Sequence, residues 1–470
     1  MKKQVVILGA GIAGLSAGYF LQKTGKFDVT LIEKQDRVGG LCGSFEHEGF
    51  VLDYGAHKLY STIPGVLDGI REVMGDRLAM VRKSHKIFLK GHALDYPLKL
   101  GNFFKALGLV DFLKMGFGYA AALFTGGFDR RPVRSYKDYM LRRFGRPTYE
   151  MVFDPLADKV WGDPSTLHVN MALTRFPASN GLDIVLKLLG IKKETKDSNA
   201  EFFYYPKEGF RGFGLRLKEM IEGSGGKIIT GASVERLRRR GDSVEAVEGT
   251  CMTGKFDLPC DVLISTIPLQ MLSRLVFEDK SAVHMADDLE FRHLIMVYLF
   301  IDKPLVLKDQ WIFFPERKYL FSRIFEQKQI LETLGPKNKT AICCDLTCPE
   351  ESWAWKADDK ALLDRCAQGL QDAGFVSEKK SIYSGKVLRV KNFYPRYGAD
   401  YSQRITSMTA QLQKVNNLLL TGRLGMYNYN NSDHCFDMGR FIADGLAGGE
   451  SAGKIWNDLA ARVAEYRIVD

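Results

Sequence analysis

The sequence predicts an α/β protein built around a buried parallel sheet. Three observations at its start carry this prediction: the apolar, β-branched run QVVILG over residues 4–9, a glycine-rich turn, and a helical pattern that Gly25 closes. A second apolar strand, Val29 to Lys34, follows the helix. Strand, turn, helix and strand in this order form a βαβ unit, whose parallel strands read as continuous hydrophobic runs.

The glycine-rich turn has the spacing of a dinucleotide-binding motif. Gly9, Gly11 and Gly14 form GxGxxG between strand and helix, and Glu33 ends the second strand. The first glycine allows the tight turn, the second admits a pyrophosphate close to the backbone, and the third packs helix on strand. The helix N-terminus attracts the phosphates, and Glu33 can accept hydrogen bonds from a ribose. We therefore predict a Rossmann-like nucleotide site.

Length and composition limit the alternatives. The chain has 470 residues, of which 46% are hydrophobic and 26% charged. Such values are typical of a globular protein with about two to three folding units and exclude a disordered, collagen-like or coiled-coil chain. The net charge of +10 suits nucleic acid, an anionic membrane or an acidic substrate. Since the arginine run 236–240 reads as a solvated loop and no recognition motif occurs, we expect no nucleic-acid partner.

Eight cysteines occur without a CxxC pair or histidine-spaced cluster, so no metal site is expected. Met1 and two lysines lead directly into the first strand, which indicates a cytoplasmic, reduced protein without a signal peptide. The apolar stretch Met115–Phe128 is shorter than the roughly 20 residues of a spanning helix. It predicts a buried helix, with a peripheral membrane contact through residues 103–124 as the alternative. The oligomeric state stays open.

The residues after Glu33 distinguish FAD from NAD. Arg37, Gly39 and Gly40 follow the acidic residue, and the strand pair GFVLDYGAH comes next. This resembles the extended fingerprint of the FAD-dependent amine oxidase and protoporphyrinogen oxidase superfamily. The resemblance implies that these backbone groups run along the FAD pyrophosphate, and that Val234 lies near the adenine.

A block near the C-terminus narrows the resemblance. The segment GRLGMYNYNNSDH, residues 422–434, looks like the corresponding block of UDP-galactopyranose mutases. The resemblance implies that Gly422 belongs to the turn before a flavin-facing helix, predicted from Met438 to Trp456. It also implies that Arg423 and Tyr429 contact a substrate diphosphate. Asp433 is assigned to the cofactor site, with helix capping as the alternative.

Four further segments resemble the mutases. DYGAHKLYS contains His57, the counterpart of a histidine beside the flavin, and KVWG precedes Arg175. FFYYPKEGF, residues 202–210, resembles their YPKxG turn, and Arg323 lies twelve residues after Trp311. The resemblance implies catalytic roles for His57, Arg323 and Arg423, and substrate binding by Arg175, Arg323, Arg423 and Tyr429. Asp53 and Tyr54 are interpreted as structural.

The sequence also departs from the mutases. Phe313 stands where they tend to have a tyrosine that contacts the diphosphate. The region 99–135 has no counterpart of their uridine-stacking segment and is apolar and helical instead. These departures leave the nucleotide-sugar specificity open.

These segments predict two interleaved domains. A discontinuous FAD-binding domain comprises residues 1–70, 200–270 and 415–470. The substrate domain comprises an antiparallel sheet in 271–414 and helices in 71–199. The active site is expected where the two meet over the flavin.

Three functions are compatible with this arrangement. The first is a redox-neutral, mutase-like isomerisation of a nucleotide-sugar ring, in which the reduced flavin N5 attacks the anomeric carbon. The alternative is an FAD-dependent oxidase or dehydrogenase of the protoporphyrinogen oxidase, amine oxidase or carotenoid desaturase type. The third is a catalytically idle flavin-binding protein. FAD is the expected cofactor, with NAD(P)H as a candidate external reductant, and the partner is a small-molecule substrate.

Overall fold

A computed structural model describes residues 1–95, 100–126, 131–176, 201–277 and 280–468, without the side chains of 100–106, 126 and 280–282. The strands in these ranges are β1 (Lys3–Leu8), β2 (Phe27–Ile32), β3 (Ser44–His47), β4 (Phe50–Asp53), β5 (Leu78–Arg82), β6 (His85–Leu89), β7 (His92–Asp95), β8 (Phe202–Pro206), β9 (Lys227–Ile229), β10 (Ser233–Arg240), β11 (Ser243–Cys251), β12 (Gly254–Pro259), β13 (Val262–Ser265), β14 (Phe291–Ile301), β15 (Trp311–Phe313), β16 (Arg323–Glu326), β17 (Thr340–Cys348), β18 (Ile382–Pro395) and β19 (Leu418–Leu420).

The helices in the same ranges are α1 (Ile12–Lys23), α2 (Val66–Met74), α3 (Leu100–Gly126), α4 (Tyr136–Phe144), α5 (Arg146–Thr148), α6 (Asp154–Trp161), α7 (Asn170–Leu173), α8 (Arg211–Gly223), α9 (Leu269–Val276), α10 (Lys280–Asp287), α11 (Trp353–Lys356), α12 (Asp359–Asp372), α13 (Tyr401–Leu412), α14 (Gly422–Gly425), α15 (Ser432–Ala447) and α16 (Ala452–Ala464). A π-helical turn, Tyr149–Phe153, joins α5 to α6.

A five-stranded parallel sheet contains the predicted βαβ unit. Its strand order is β19, β13, β1, β2 and β9, and β1 pairs in parallel with both β13 and β2. Its strands come from the segments 1–70, 200–270 and 415–470, which are far apart in the chain. The α/β prediction is confirmed, because the apolar run of β1 is buried between helices, as parallel strands require.

A seven-stranded sheet faces this unit, in the order β18, β14, β17, β16, β15, β6 and β7. Its pairs are antiparallel except for β15 with β6, which run parallel. Two of its strands come from residues 85–95, where helices were expected. The buried apolar run Ile87–Leu89 at the end of β6 and the short Lys90–Gly91 turn favour a hairpin there.

Two other segments differ from the sequence predictions. The long helix expected from Met438 to Trp456 is two helices, α15 and α16, because Gly448 and Gly449 end the first and Ser451 caps the second. The arginine run 236–240 is part of strand β10 rather than a loop.

Helix α3 lies against the seven-stranded sheet and α5. Its inner face packs closely, since a Cβ on Gly118 would lie 2.4 Å from Cδ of Pro147. Among the described residues, the stretch Leu107–Thr125 is the helix that is long and apolar enough to cross a membrane, and only 11% of its most apolar window is buried. The prediction of a buried helix is therefore wrong for its outer face.

Candidate active site

A cavity of about 2320 Å³ runs from the carboxyl ends of the parallel strands to the seven-stranded sheet and helix α3. Three parts of its wall are distinct: a glycine-rich slot, a cluster of arginines and aromatic rings, and an apolar arm. Ligand sites of open α/β sheets lie at this end of the strands.

The first glycine turn forms one end of the slot. Gly9 has φ 96° and lines the cavity, and a Cβ on Gly14 would lie 2.0 Å from the Gly9 carbonyl oxygen. Gly14 therefore packs α1 on the turn and does not line the slot, in agreement with the role that its spacing suggested. Helix α1 begins after Gly11 without a side-chain cap, so its first N–H groups remain available to an anion.

Glu33 is held in position at the edge of the slot. Its carboxylate accepts hydrogen bonds from the backbone N–H groups of Ala10, at 2.8 Å, and Gln35, at 2.9 Å. Val234 lines the same region of the cavity. These bonds fix the carboxylate while leaving oxygen lone pairs for a further donor such as a ribose hydroxyl.

The second glycine turn faces the first across the slot. A Cβ on Gly40 would lie 3.1 Å from Cα of Gly11, so any side chain there would fill the cradle. Gly39 and Gly11 form an isolated parallel β-bridge, and Arg37 Nη1 donates a hydrogen bond to the Gly40 carbonyl at 3.2 Å. The guanidinium of Arg37 also lies 4.3 Å from the ring centroid of Tyr54.

The C-terminal turn completes the slot. Gly422 and Ser432 line the cavity, and α15 begins there with Asn431 as its N-cap residue. Asp433 is buried in the first turn of α15 and is not among the cavity-lining residues. Asn431 rather than Asp433 caps α15, and the cofactor role of Asp433 stays a prediction.

These features fit FAD. Two glycine turns, the uncapped start of α1 and a fixed acidic side chain suit a pyrophosphate flanked by a ribose. Glu33, Arg37 and Val234 lie along this part of the wall with the glycines. In this slot, the residues that would hold the pyrophosphate are Gly9, Gly11, Gly39 and Gly40, while Gly422 lies at the start of the other helix.

A buried network supports the loop that carries His57. Asp53 accepts hydrogen bonds from Ser44 Oγ and Tyr205 Oη, both at 2.6 Å, and from the Phe210 N–H at 3.1 Å. Its own N–H donates to Gln327 Oε1 at 2.9 Å. Burial raises the pKa of Asp53, and these donors oppose that shift. Asp53 has a structural role, because it ties β4 to β8 and to the second sheet.

His57 lies in the cavity wall as a half-buried, neutral imidazole. Its ring stacks on Phe210 with centroids 4.7 Å apart, and its Nδ1 has no hydrogen-bond partner among the described residues. Burial, together with the nearby charges of Arg423 and Arg323, lowers the pKa of His57 to about 3. The imidazole can therefore donate a hydrogen bond to a ligand or accept one from it, but it carries no charge near neutral pH.

Arg175 and Arg423 meet at one pair of stacked tyrosines. The Tyr394 and Tyr429 rings are 5.4 Å apart and nearly parallel. The Arg175 guanidinium lies 4.5 Å from the Tyr429 centroid, and that of Arg423 lies 5.5 Å from the Tyr394 centroid. Tyr429 Oη accepts a 2.6 Å hydrogen bond from Trp161 Nε1.

Neither of these two arginines has a carboxylate partner among the described residues. Arg423 donates from Nε to the Asn430 carbonyl at 3.0 Å, and Arg175 from Nη1 to the Met171 carbonyl at 3.3 Å. Two cations in a partly enclosed cavity favour an anionic ligand, because guanidinium groups match phosphate and carboxylate oxygens.

Arg323 differs from the other two, because it is paired. Its Nε donates to Asp345 Oδ2 at 2.9 Å, and its Nη2 donates to the same oxygen. The Asp345 side chain is 3% exposed; burial raises its pKa, whereas Arg323 lowers it. Arg323 lines the cavity, but most of its charge is neutralised within the protein. The three arginines therefore share one cavity without being equivalent.

His85 was not identified from the sequence. It lines the cavity at 3% exposure and stacks on Trp311, with centroids 3.6 Å apart. Neither ring nitrogen has a hydrogen-bond partner among the described residues. Burial lowers its pKa strongly, and the charges of Lys58, Lys83 and Arg323 act in the same direction. The available signal was a histidine two residues before Ile87, on the same face of a strand whose apolar run is buried.

The third part of the wall is the apolar arm. It is lined by the following side chains of α3, α4, the π-turn, α6 and the segment after α7: Phe112, Met115, Phe144, Val152, Phe153, Leu156, Val160 and Phe176. Phe144 and Phe153 lie 4.6 Å apart, and Phe176 contacts both rings. The arm thus begins beside Arg175 and ends under α3.

The chain resembles two proteins over long stretches of sequence. It is 24% identical over 299 residues to a phytoene dehydrogenase of Streptomyces griseus, which covers 58% of this chain and 55% of that protein. It is 24% identical over 309 residues to a coproporphyrinogen III oxidase of Bacillus subtilis (strain 168), covering 60% and 64%. Less than two thirds of either relative is therefore covered.

Its fold is also that of a solved structure. A reduced UDP-galactopyranose mutase superposes with a TM-score of 0.83 at 20% identity, over 99% of this chain and 98% of the mutase. This likeness confirms the predicted fold.

The sequence pattern of one family extends over both parts of the molecule. The family described as "Flavin containing amine oxidoreductase" matches residues 12–424, which include the second glycine turn, the seven-stranded sheet and Arg423. The predicted superfamily and its FAD-dependent, oxidoreductase-type enzyme class are confirmed by this match. The chain belongs to the flavin-containing amine oxidoreductase family.

Proposed function

We propose that this protein is an FAD-dependent enzyme that isomerises a glycosyl diphosphate without net oxidation, as the resemblance to UDP-galactopyranose mutases suggests. The observation that carries the proposal is the placement of Arg175 and Arg423 over the Tyr394–Tyr429 pair, at the same cavity as His57. Two cations that have no carboxylate partner in the described part of the chain suit a diphosphate, which carries its negative charge on several oxygens.

The chain's own residues would bind and orient the substrate. Arg175 and Arg423 would hold the diphosphate while its bond to the anomeric carbon breaks and the sugar ring re-closes. Stabilising the charge that develops on a leaving group is the largest contribution that fixed cations make to such a reaction. Bound FAD, in its reduced form, supplies the nucleophile for the anomeric carbon.

His57 and Arg323 have supporting roles in this proposal. A neutral His57 hydrogen-bonds the cofactor or the sugar without adding a third unpaired cation. Arg323, whose charge is balanced by Asp345, orients the substrate rather than adding net positive charge to the site. Since the flavin must be reduced first, NAD(P)H is proposed as the external reductant. Anaerobic mixing of FAD-loaded protein with NADH and NADPH, followed by flavin absorbance, tests that part separately.

The test uses the full chain loaded with FAD and reduced by dithionite under anaerobic conditions. A panel of nucleotide sugars and other glycosyl diphosphates is added, and the sugar ring form is followed by NMR. We expect ring isomerisation while the flavin stays reduced, and no product from the oxidised protein. Failure of the reduced protein to bind any diphosphate compound would overturn the proposal.

A second function is favoured by the apolar arm. Its aromatic and aliphatic lining suits an oxidase or dehydrogenase that takes a hydride from an apolar substrate. The two relatives, a phytoene dehydrogenase and a coproporphyrinogen III oxidase, belong to that class by name. Anaerobic loss of oxidised-flavin absorbance on adding such a substrate would support this function, and unchanged absorbance would oppose it.

A further inference from the structure

We infer that the substrate of this site is an amphiphile, with a phosphate or diphosphate head at Arg175 and Arg423 and a long hydrocarbon chain in the apolar arm, and that helix α3 rests on the bilayer that supplies it. The inference rests on the proposed function for the head group. It adds that the group on the diphosphate opposite the sugar is a long hydrocarbon chain.

The arm continues directly from the arginine cluster. Phe176 follows Arg175 in the chain, and its ring lies 5.5 Å from that of Phe153. On α6, Leu156 and Val160 line the cavity one helical turn apart, and Trp161, which bonds Tyr429, comes next. A ligand with its anionic end at Arg175 would therefore extend along phenyl rings and aliphatic side chains.

A hydrocarbon chain suits this wall better than a nucleoside does. Among the described residues that line the cavity from α3, α4, α5 and α6, the polar side chains of the arm are Tyr119, Tyr136, Arg143 and Thr148. The Arg143 guanidinium donates to Tyr139 Oη at 2.9 Å and lies 5.6 Å from the Phe144 ring centroid. A nucleobase and ribose need several placed donors and acceptors, because burying them without hydrogen bonds is costly. A hydrocarbon chain needs only apolar contact.

Helix α3 forms both the end of the arm and an exposed apolar surface. Phe112 and Met115 line the cavity from its inner side. On its outer side, Val110, Phe117 and Phe124 are 66%, 73% and 73% exposed. Contiguous apolar surface of this kind marks a membrane or protein interaction site. Because the inner side packs on the protein, α3 is suited to lie along a bilayer rather than to cross it.

The charges around α3 favour an anionic bilayer as the occupant. Asp111 is the only acidic residue between residues 107 and 125, and Lys90 pairs with it. Lys114 is exposed on the helix, and Arg134 and Lys137 are exposed just beyond it. An apolar face flanked by basic side chains is the pattern of a helix that binds anionic lipid surfaces. One element thus joins the bilayer to the arm.

Chain-length dependence of binding tests the substrate class. FAD-loaded protein is titrated with inorganic diphosphate, then with isopentenyl, farnesyl and geranylgeranyl diphosphates below their micelle-forming concentrations, following flavin fluorescence. We expect affinity to rise by at least about a hundredfold from isopentenyl to geranylgeranyl diphosphate, since each buried methylene adds binding energy. Geranylgeraniol, which lacks the head, should bind far more weakly than its diphosphate.

Two variants separate the head from the chain. Leu156→Asn should flatten the chain-length dependence while leaving inorganic diphosphate binding unchanged. Arg175→Gln should weaken all the diphosphates by a similar factor and preserve the dependence on length. If wild-type protein binds inorganic diphosphate and UDP-sugars but ignores chain length, the inference fails and the proposed function stands. If geranylgeraniol binds as well as its diphosphate, or no diphosphate binds, both fail.

Vesicle binding tests the bilayer. FAD-loaded wild-type protein should sediment with phosphatidylglycerol-containing vesicles and less with pure phosphatidylcholine. The Phe117→Asp/Phe124→Asp variant should stay in the supernatant. Met252→Asp, at an apolar side chain that is 92% exposed on the β11–β12 turn, should behave like wild type. Wild-type protein that stays in the supernatant with both vesicle types would overturn the membrane part.

Discussion

The hydroxyl of Tyr429 accepts a 2.6 Å hydrogen bond from the indole N–H of Trp161, a residue 268 positions earlier in the chain. This bond joins the C-terminal turn of the FAD-binding unit to helix α6 of the other unit. Arg175 lies over both rings, at 4.5 Å from Tyr429 and 4.6 Å from Trp161. The bond therefore sets the platform on which Arg175, the proposed diphosphate-binding cation, rests.

Replacing Arg175 by lysine tests this platform. Lysine keeps the charge but loses the planar fork and much of the stacking on the two rings. We expect kcat/KM for the diphosphate substrate to fall by about tenfold or more, with FAD content unchanged. The matched control is Arg146→Lys, whose side chain is 77% exposed. Equal activity of the two variants would contradict a substrate contact by Arg175.

Gly9→Ala tests the cofactor cradle. An alanine Cβ would lie 2.3 Å from Thr266 Oγ1, and the backbone there has φ 96°. We expect at least about a tenfold loss of FAD affinity, since such strain costs about 1–3 kcal/mol. Gly25→Ala is the control, because its φ is 69° but nothing lies within 4 Å. FAD affinity is measured by equilibrium dialysis, and similar losses in both variants would assign the effect to φ alone.

Removing one partner of the Arg323–Asp345 ion pair should lower the free energy of unfolding more than removing both partners together. Asp345→Asn leaves the guanidinium without its buried counter-charge, and we expect about 3–5 kcal/mol of lost stability. The double variant Arg323→Met/Asp345→Leu removes both charges and should recover most of that loss. Thermal and denaturant unfolding of the FAD-free proteins measure both effects. A double variant as unstable as Asp345→Asn would contradict the pairing argument.

His57 should remain neutral throughout the range in which enzymes are usually assayed. Because its folded pKa of about 3 lies below the ordinary value of 6.5, the unfolded state binds more protons between these values. Stability therefore rises with pH across this window and is lost as pH falls from about 6.5 towards 3. His57→Phe should weaken this acid dependence. NMR of ring-labelled histidine checks it directly, and an imidazole that titrates near 6.5 would contradict it.

Lys159 fixes helix α6 and thereby Trp161. Its ammonium donates to the carbonyls of Phe314, Glu316 and Phe321 at 2.7–3.0 Å. Lys159→Met leaves these carbonyls without their donor, and we expect about 2–4 kcal/mol of lost stability. The control Lys356→Met, at an exposed position, should change stability by less than about 0.5 kcal/mol. Denaturant unfolding measures both, and equal midpoints would contradict the role of Lys159.

Much of the cofactor slot could be predicted from short segments. The spacing of Gly9, Gly11 and Gly14 and the position of Glu33 depend on local backbone geometry, which a few neighbouring residues impose. The fold prediction rested on the same local patterns of strand, turn and helix. The error over residues 85–95 arose because a two-residue turn between short strands is a weak signal beside long helical patterns.

The substrate side of the site depended on tertiary structure. Sequence analysis named Arg175, Arg323 and Arg423 together, but only the fold brings Asp345 to Arg323 and leaves the other two over aromatic rings. His85 lies in the cavity wall because β6 pairs in parallel with β15. Helix α3 has an exposed apolar face because it packs on the protein on one side only. The sequence by itself determined where a nucleotide could bind, because that geometry is local. The balance of charge and burial around the substrate was decided by tertiary structure, because residues separated by tens to hundreds of positions set it.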